Sequence, residues 1–117
     1  MLPKLLAPAG NLDKLIMAVE YGADEVYFAG KTMGMRAGGK NFTNKDLEEG
    51  IEYCHKHGTK SNITVNIFPH NDDLRGIEEY LKYLRKIGAD ALIVADPGVI
   101  EIAKQTIPDM RIHLSTQ

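Results

Sequence analysis

One three-residue phrase, Gly-Ala-Asp, occurs twice in the chain, and each time a short and largely apolar run follows it. The phrase occupies residues 22–24 and 88–90, and the runs after it are Glu25–Ala29 and Ala91–Ala95. Glycine is the residue best suited to the left-handed position just after a helix, and a short apolar run bounded by turn residues is typical of a buried strand. The phrase therefore predicts a helix end followed by a strand, repeated along the chain as β/α units.

The rest of the sequence supplies the other strands and the helices between them. Apolar residues at helical spacing, such as Leu12, Leu15 and Val19, predict the helices, and Thr43 with Asp46 resembles a capping box. The predicted strands are Lys4–Ala7, Glu25–Ala29, Ser61–Asn66, Ala91–Ala95 and Arg111–Leu114. The resulting order, βαβαβαβαβ, implies parallel strands joined by right-handed crossovers.

Two folds fit this order, a TIM-type β/α barrel and a flavodoxin-like open parallel sheet. The central strands of an open doubly wound sheet are buried on both faces and read as continuous apolar runs, whereas a barrel interior can carry polar groups near its upper end. The third strand alternates, with Ile63 and Val65 on one face and Asn62 and Thr64 on the other. This alternation favours the barrel, and the flavodoxin-like sheet is the alternative.

The length of the chain limits how much of a barrel it can form. A closed barrel needs about eight strands, and the sequence predicts fewer. We therefore expect residues 1–117 to form a single domain that is the N-terminal part of a β/α barrel, as a fragment of a longer chain. Alone, it would leave open strand edges, which favour association.

Composition and charge exclude several classes of protein. The content of 44% hydrophobic and 26% charged residues is typical of a globular domain. A net charge of −2 gives no general attraction to nucleic acid or to membranes, so such binding would need a local basic patch. No apolar run approaches the roughly 18 residues of a membrane helix, and no signal peptide is recognised. We expect a cytoplasmic protein that does not contact a membrane.

The substrate-binding candidates follow the predicted strands, because ligands of parallel β/α folds meet the loops at the carboxyl ends of the strands. The loop from Gly30 to Asn41 contains several glycines and cations, which suit a phosphate or a carboxylate, although the alternative of a solvated loop is open. Asp24 and Asp90 precede their strands, so we expect them to act in turns at the opposite end. The candidates are Arg36, Lys40, Asn66, Asn71, Asp96 and Gln117.

The catalytic candidates at the same edge are His70, His113 and Ser115. Histidine can transfer a proton near neutral pH. His113 and Ser115 share one face of a strand, but that spacing separates them by about 6–7 Å, too far for a direct hydrogen bond, and interior packing is the alternative. Cys54, the single cysteine, lies on an apolar helix stripe and is expected in the core. No metal site is predicted.

Several phrases along the chain together resemble a known family. They are Leu5–Asn11, Tyr21–Tyr27, Arg36–Gly38, Asn41–Phe42, Val65–Ile67, Pro69–Asn71, Asp96–Gly98 and His113–Gln117. Through these phrases the chain resembles peptidase family U32, the collagenase-like proteases, over nearly its whole length. The resemblance implies an N-terminal barrel segment. It also implies that eight of the candidates are site residues: Arg36, Asn66, His70, Asn71, Asp96, His113, Ser115 and Gln117.

Two kinds of activity are implied by the resemblance. The family is named for collagenase-type proteolysis, whereas other members support hydroxylation of tRNA, of rRNA or of the ubiquinone ring, several with an iron–sulfur cluster held by four cysteines. This chain has only Cys54, so no cofactor is expected in it. An enzymatic activity of this segment alone is not expected.

We expect a segment of a U32 enzyme with a peptide or an RNA as its substrate. Hydrolysis has little support in the residues, because no activated nucleophile, metal motif or carboxylate pair is evident, and RNA modification suits the basic loop better. The alternative is a non-catalytic binding or assembly module built on a half-barrel. Its partner would be the remainder of the barrel or a second copy of the chain.

Overall fold

A computed structural model describes residues 4–29, 43–65 and 74–114 of the chain. Within these ranges five strands alternate with four helices, which confirms the predicted order of elements. The strands are β1 (Leu6–Ala9), β2 (Glu25–Ala29), β3 (Lys60–Val65), β4 (Ala91–Val94) and β5 (Arg111–Leu114). The helices are α1 (Leu12–Glu20), α2 (Asn44–Lys56), α3 (Leu74–Lys86) and α4 (Pro97–Thr106). No helix within the described ranges is long and apolar enough to cross a membrane.

The strands form one parallel, open sheet in the sequential order β1-β2-β3-β4-β5. A flavodoxin-like sheet has the order 2-1-3-4-5, so that alternative is wrong. Parallel crossovers are right-handed, and a sequential order therefore brings the helices to one face of the sheet. The opposite face, which we call the inner face, is free of helices within the described residues.

The hydrophobic core lies between the helices and the outer face of the sheet. The alternation predicted for the third strand is confirmed, because Ile63 and Val65 pack in this core while Asn62 and Thr64 belong to the inner face. The largest buried side chains of the core come from the strands and the helices alike, and they include Leu15, Val26, Leu47, Ile51, Leu81, Leu84, Leu92, Val94 and Val99.

Three helices end in the same backbone arrangement. Gly22, Gly58 and Gly88 follow α1, α2 and α3 with φ angles of 94°, 72° and 97°, a region that is strained for residues with a Cβ atom. After Gly22 the amide of Ala23 donates a hydrogen bond to the carbonyl of Ala18 at 3.1 Å, which is the Schellman pattern. The helix end that the repeated phrase predicts is thus confirmed.

The aspartates of the repeated phrase bind the start of a neighbouring strand. Oδ2 of Asp24 accepts a hydrogen bond from the amide of Leu5 at 2.7 Å. Oδ2 of Asp90 accepts one from the amide of Ser61 at 2.7 Å and one from its hydroxyl at 3.1 Å, and Nε2 of His55 lies 3.0 Å from the same oxygen. The expectation that these aspartates act at the end opposite the loops is confirmed.

Strand β1 differs from its predicted bounds. It begins at Leu6 rather than Lys4, and it continues through Pro8 to Ala9. Proline has no amide hydrogen to donate to a ladder, but β1 is an edge strand with a single neighbour, β2, where the missing donor is tolerated. Pro8, which follows the predicted end of this strand at Ala7, therefore lies inside it.

Candidate functional site

Of the predicted site residues, the structure describes Asp96 and His113. The others lie outside the described ranges, and their roles stay predictions: Arg36, Lys40, Asn66, His70, Asn71, Ser115 and Gln117. Asp96 lies two residues after the end of β4, and His113 belongs to β5, which pairs with β4. Both residues therefore stand towards the carboxyl ends of neighbouring strands.

The side chain of Asp96 is the N-cap of helix α4. Its Oδ1 accepts hydrogen bonds from the amides of Gly98 at 2.7 Å and Val99 at 3.1 Å, and Pro97 occupies the first helical position, where proline is favoured. The short helix thus begins at the loop edge of the sheet because Asp-Pro-Gly is a strong start signal. One oxygen of the carboxylate satisfies both helix amides.

His113 lies on the inner face, beside Ile93 of β4. Its side chain is exposed and lines an open groove of about 410 Å³ on this face. We call this the inner-face groove, and it is lined by Lys4, Leu6, Glu25, Tyr27, Asn62, Ile93 and His113. The groove therefore brings polar groups of β2, β3 and β5 beside the apolar side chains of Leu6, Tyr27 and Ile93.

The groove contains a carboxylate–amide pair, Glu25 and Asn62, which the sequence did not reveal as a site. Nδ2 of Asn62 donates a hydrogen bond to Oε1 of Glu25 at 2.8 Å, and Nζ of Lys4 lies 3.7 Å from Oε2. The hydrogen bond from Asn62 lowers the pKa of Glu25, and the charges of Lys4 and Lys60 lower it further against the effect of desolvation. Glu25 is therefore ionised, and its two carboxylate oxygens already have Asn62 and Lys4 as partners.

Cations outnumber carboxylates among the described residues of the inner face. Lys60 pairs in register with Glu25 and so lies on the face of the groove. Arg111 lies on the same face, because its register partner Ala91 is also the register partner of Asn62. Together with Lys4, these two residues give the inner face three cations and one carboxylate, that of Glu25. The inner face is thus locally basic although the chain carries a net charge of −2.

The cluster of His55, Ser61 and Asp90 does not form a nucleophile–base pair. Both Nε2 of His55 and the hydroxyl of Ser61 bind the same oxygen of Asp90, and Ser61 is fully buried. An activated serine needs its hydroxyl on the base, with the base oriented by the acid. These residues therefore tie α2, β3 and β4 together and do not activate a nucleophile.

Cys54 lies in the core, as expected, and burial together with the charge of Asp90 raises its pKa to about 11. Its thiol is thus protonated near neutral pH. A four-cysteine iron–sulfur cluster does not fit this chain, which has one cysteine. The described residues also contain no group of three or more histidine, cysteine or acidic side chains arranged to hold a metal ion.

Relatives of known name match nearly the whole chain. The tRNA hydroxylation protein P1 of Bacillus subtilis (strain 168) is 48% identical over 98% of this chain, which spans 27% of that protein. The 23S rRNA 5-hydroxycytidine C2501 synthase of Escherichia coli (strain K12) is 36% identical over 97% of this chain, which spans 17% of that protein.

A solved structure shares the fold. The U32 peptidase Mk0906 superposes with a TM-score of 0.70 at 16% identity, and the match covers 97% of this chain and 49% of that one. The model of peptidase family U32 matches residues 10–117. Since this match takes in almost every residue of the alternating sheet and helices, the chain belongs to peptidase family U32.

Proposed function

We propose that this chain is a segment of an RNA-hydroxylation protein, with an RNA, and a tRNA in particular, as its substrate. The observation that carries the proposal is its 48% identity to a tRNA hydroxylation protein over 98% of the chain, supported by the 36% identity to an rRNA-modifying synthase. Both names belong to the relatives, of which the chain spans 27% and 17%. A tRNA substrate would place the work of the protein in the cytoplasm.

The proposal includes a closed TIM-type barrel, in which residues 1–117 form the N-terminal part. Three features of the sheet support it: the sequential strand order, the single core against the helices, and polar side chains on the inner face. A barrel interior can carry polar groups, and the ligands of such barrels bind at the carboxyl ends of the strands. The RNA would bind at that end.

The proposed roles follow from the chemistry of the candidate residues. Arg36 and Lys40 would bind phosphate groups of the RNA, since charge-assisted contacts to phosphate dominate nucleic-acid affinity. The remaining polar candidates would bind the base and the ribose, and they are Asn66, Asn71, Asp96 and Gln117. His70, His113 and Ser115 would handle protons at the reacting base. Hydroxylation needs an oxidant, which we do not assign to this chain.

Proteolysis, the activity in the family name, has weaker support from the described residues. The Ser61 hydroxyl and His55 both bind Asp90 instead of each other, and the Cys54 thiol is buried with a raised pKa. Neither the Ser61 hydroxyl nor the Cys54 thiol is an activated nucleophile. We therefore place peptide hydrolysis second.

The test is to replace the matching segment of the Bacillus subtilis protein with this chain, in cells that lack the original. Hydroxylated nucleosides of the tRNA are then measured by mass spectrometry. We expect the chimera to restore hydroxylation. We expect Arg36→Ala to lower it by about 10-fold or more, because a hydrogen bond to a charged group contributes roughly 1.5–3 kcal/mol. Lys104→Ala, at an exposed position of α4, is the matched control.

Two outcomes would contradict the proposal. One is a folded chimera that leaves the tRNA unmodified. The other is an Arg36→Ala chimera that hydroxylates tRNA as well as the Lys104→Ala chimera does, which would remove the anion-binding loop from the mechanism.

A further inference from the structure

Tyr27 is an aromatic residue on the face of the sheet that the described helices do not cover. Its neighbours in β2, Val26 and Phe28, are 0% and 2% exposed and pack in the core, whereas Tyr27 is 39% exposed. Side chains alternate along a strand, so the ring of Tyr27 belongs to the inner face, where it lines the inner-face groove. This ring therefore lies outside the core between the sheet and the helices.

The row of inner-face residues that contains Tyr27 differs from the usual filling of a barrel. Tyr27 pairs in register with Asn62, which pairs with Ala91, which pairs with Arg111. The next row towards the carboxyl ends of the strands consists of Ala29, Thr64, Ile93 and His113. Bulky branched apolar residues dominate a packed barrel interior, and these two rows contain one, Ile93. Small and polar side chains here favour an interior that holds a ligand.

A side-chain amide with a fixed orientation lies beside Tyr27. Asn62 is the register partner of Tyr27 and is buried, and its Nδ2 donates a hydrogen bond to Oε1 of Glu25 at 2.8 Å. That hydrogen bond orients the amide, so the other end of the group, Oδ1, is an acceptor in a known position. A few placed polar groups beside an aromatic surface are typical of a pocket that fixes the orientation of a small ligand.

The charge of the inner face makes a nucleotide the ligand that fits best. Arg111 lies in the row of Tyr27, and Lys60 lies in the row before it, while Lys4 lines the groove. Proteins bind single-stranded nucleic acid by combining a cationic groove for the backbone with aromatic rings on which the bases stack. The groove of about 410 Å³ is within the range of about 300–1,000 Å³ of small-ligand pockets, so it has room for one base.

We propose that the inner-face groove binds an unstacked base of the substrate RNA, with the ring of Tyr27 as the surface on which the base stacks. Enzymes that modify a base take it out of its stack into a pocket, and aromatic side chains commonly receive the unstacked bases of RNA loops. The base enters from the carboxyl ends of the strands, passes the row of His113 and reaches Tyr27 one row deeper, about 7 Å along the strands. This inference rests on the proposed RNA function and adds Tyr27 to its base-binding residues.

The experiment compares two forms of the tRNA that the Bacillus subtilis chimera hydroxylates. One form is intact, and the other has an abasic site at the nucleotide that mass spectrometry identifies as the hydroxylated one. The dissociation constant of the purified chimera for each RNA is measured by fluorescence anisotropy at one salt concentration, because phosphate contacts make affinity depend on salt. We expect the intact tRNA to bind about 10-fold more tightly, as the loss of one stacked base predicts.

Three variants of the chimera test whether Tyr27 is the stacking surface. Tyr27→Leu keeps an apolar side chain but removes the flat ring, so it should bind the two RNAs equally. Tyr27→Phe keeps the ring and should keep the difference of about 10-fold. Tyr21→Leu makes the same change as Tyr27→Leu at an exposed position after α1 and should also keep it. Lost folding would weaken the binding of both RNAs alike, so the ratio of the two dissociation constants reports the stacking, and circular dichroism checks the fold.

Two results would overturn the inference and leave the proposed RNA function standing. A Tyr27→Leu chimera that still prefers the intact tRNA would show that the base stacks elsewhere. Equal binding of the two RNAs by a chimera that hydroxylates tRNA and has Tyr27 in place would show that no base is held in the groove. A chimera that hydroxylates no tRNA contradicts the proposed function itself, and the base pocket is then overturned with it.

Discussion

Asp96 combines a structural contact with a proposed binding role, and two substitutions separate them. Its Oδ1 caps helix α4 through two amides. Asparagine is as good an N-cap as aspartate, whereas alanine costs about 1 kcal/mol. We expect Asp96→Asn to keep the free energy of unfolding and to reduce tRNA hydroxylation by the chimera. Asp96→Ala should reduce both, as measured by urea denaturation and nucleoside analysis.

The matched control is Glu101→Gln, at an exposed position on the same helix. It removes one negative charge without touching the cap. If the Asp96→Asn and Glu101→Gln chimeras hydroxylate tRNA equally well, the carboxylate of Asp96 only caps the helix. Asp96 is then not a substrate-binding residue.

At the residue scale, local motifs could be predicted and distant pairs could not. The sequence predicts the end of the sheet at which Asp24 and Asp90 lie, because each follows a helix-ending glycine by two positions. The pair of Glu25 and Asn62 is separated by 37 positions and depends on the register between β2 and β3. Alternation within each strand gave the correct face for Asn62, but only the register brings the two side chains together.

At the scale of elements, Gly50 explains how closely α1 and α2 approach. A Cβ atom on Gly50 would lie 3.0 Å from Cδ1 of Leu15, a fully buried residue of α1. On the other side of α2, a groove of about 650 Å³ separates it from α3 and is lined in part by Ile51 and Ile87. The glycine thus lets α2 pack closely against α1.

We expect Gly50→Ala and Gly50→Leu to differ sharply in stability. Alanine gains about 1 kcal/mol of helix propensity, which offsets a contact that the tip of Leu15 can relieve by a small shift. Leucine overfills the contact and should lower the free energy of unfolding by about 1–3 kcal/mol. Urea denaturation measures both. A Gly50→Leu protein as stable as Gly50→Ala would show that the helices do not depend on this contact.

Helix ends could be predicted more accurately than strand ends. Thr43 caps α2 as expected, because the signal of a capping box lies within three residues of the helix start. Strand β1 lies two residues later in the chain than predicted, because an edge strand has only one neighbouring strand to fix where it begins and ends. Strand β4 ends at Val94, one residue before the predicted Ala95, since apolar patterning alone does not fix the last paired residue.

At the scale of the whole molecule, the pattern of one strand points to the fold class that the order of the strands confirms. The alternation of β3 favoured the barrel class, and the sequential strand order excludes the flavodoxin-like sheet. The excess of cations on the inner face could not be predicted, because the inward direction of Lys60 and Arg111 follows from pairing with β2 and β4. The proposed active end depends mostly on loops outside the described residues, so its geometry stays a prediction.

The stability of the whole molecule should fall in acid, chiefly through Glu25. The hydrogen bond from Asn62 and the charges of Lys4 and Lys60 lower the pKa of Glu25 below 4.5. A carboxyl with a lowered folded pKa adds stability above its unfolded pKa and loses it as the pH falls through the folded one.

Glu25→Gln should therefore flatten the acid limb of the free energy of unfolding, measured by urea denaturation at a series of pH values. Asp109→Asn is the comparison. Arg85 also lowers the pKa of Asp109, but that side chain is 60% exposed against 16% for Glu25. High salt screens exposed pairs more than covered ones, so it should abolish the effect of Asp109→Asn and preserve that of Glu25→Gln. An acid limb unchanged by Glu25→Gln would mean that the inner-face carboxylate is solvated and contributes nothing to folding.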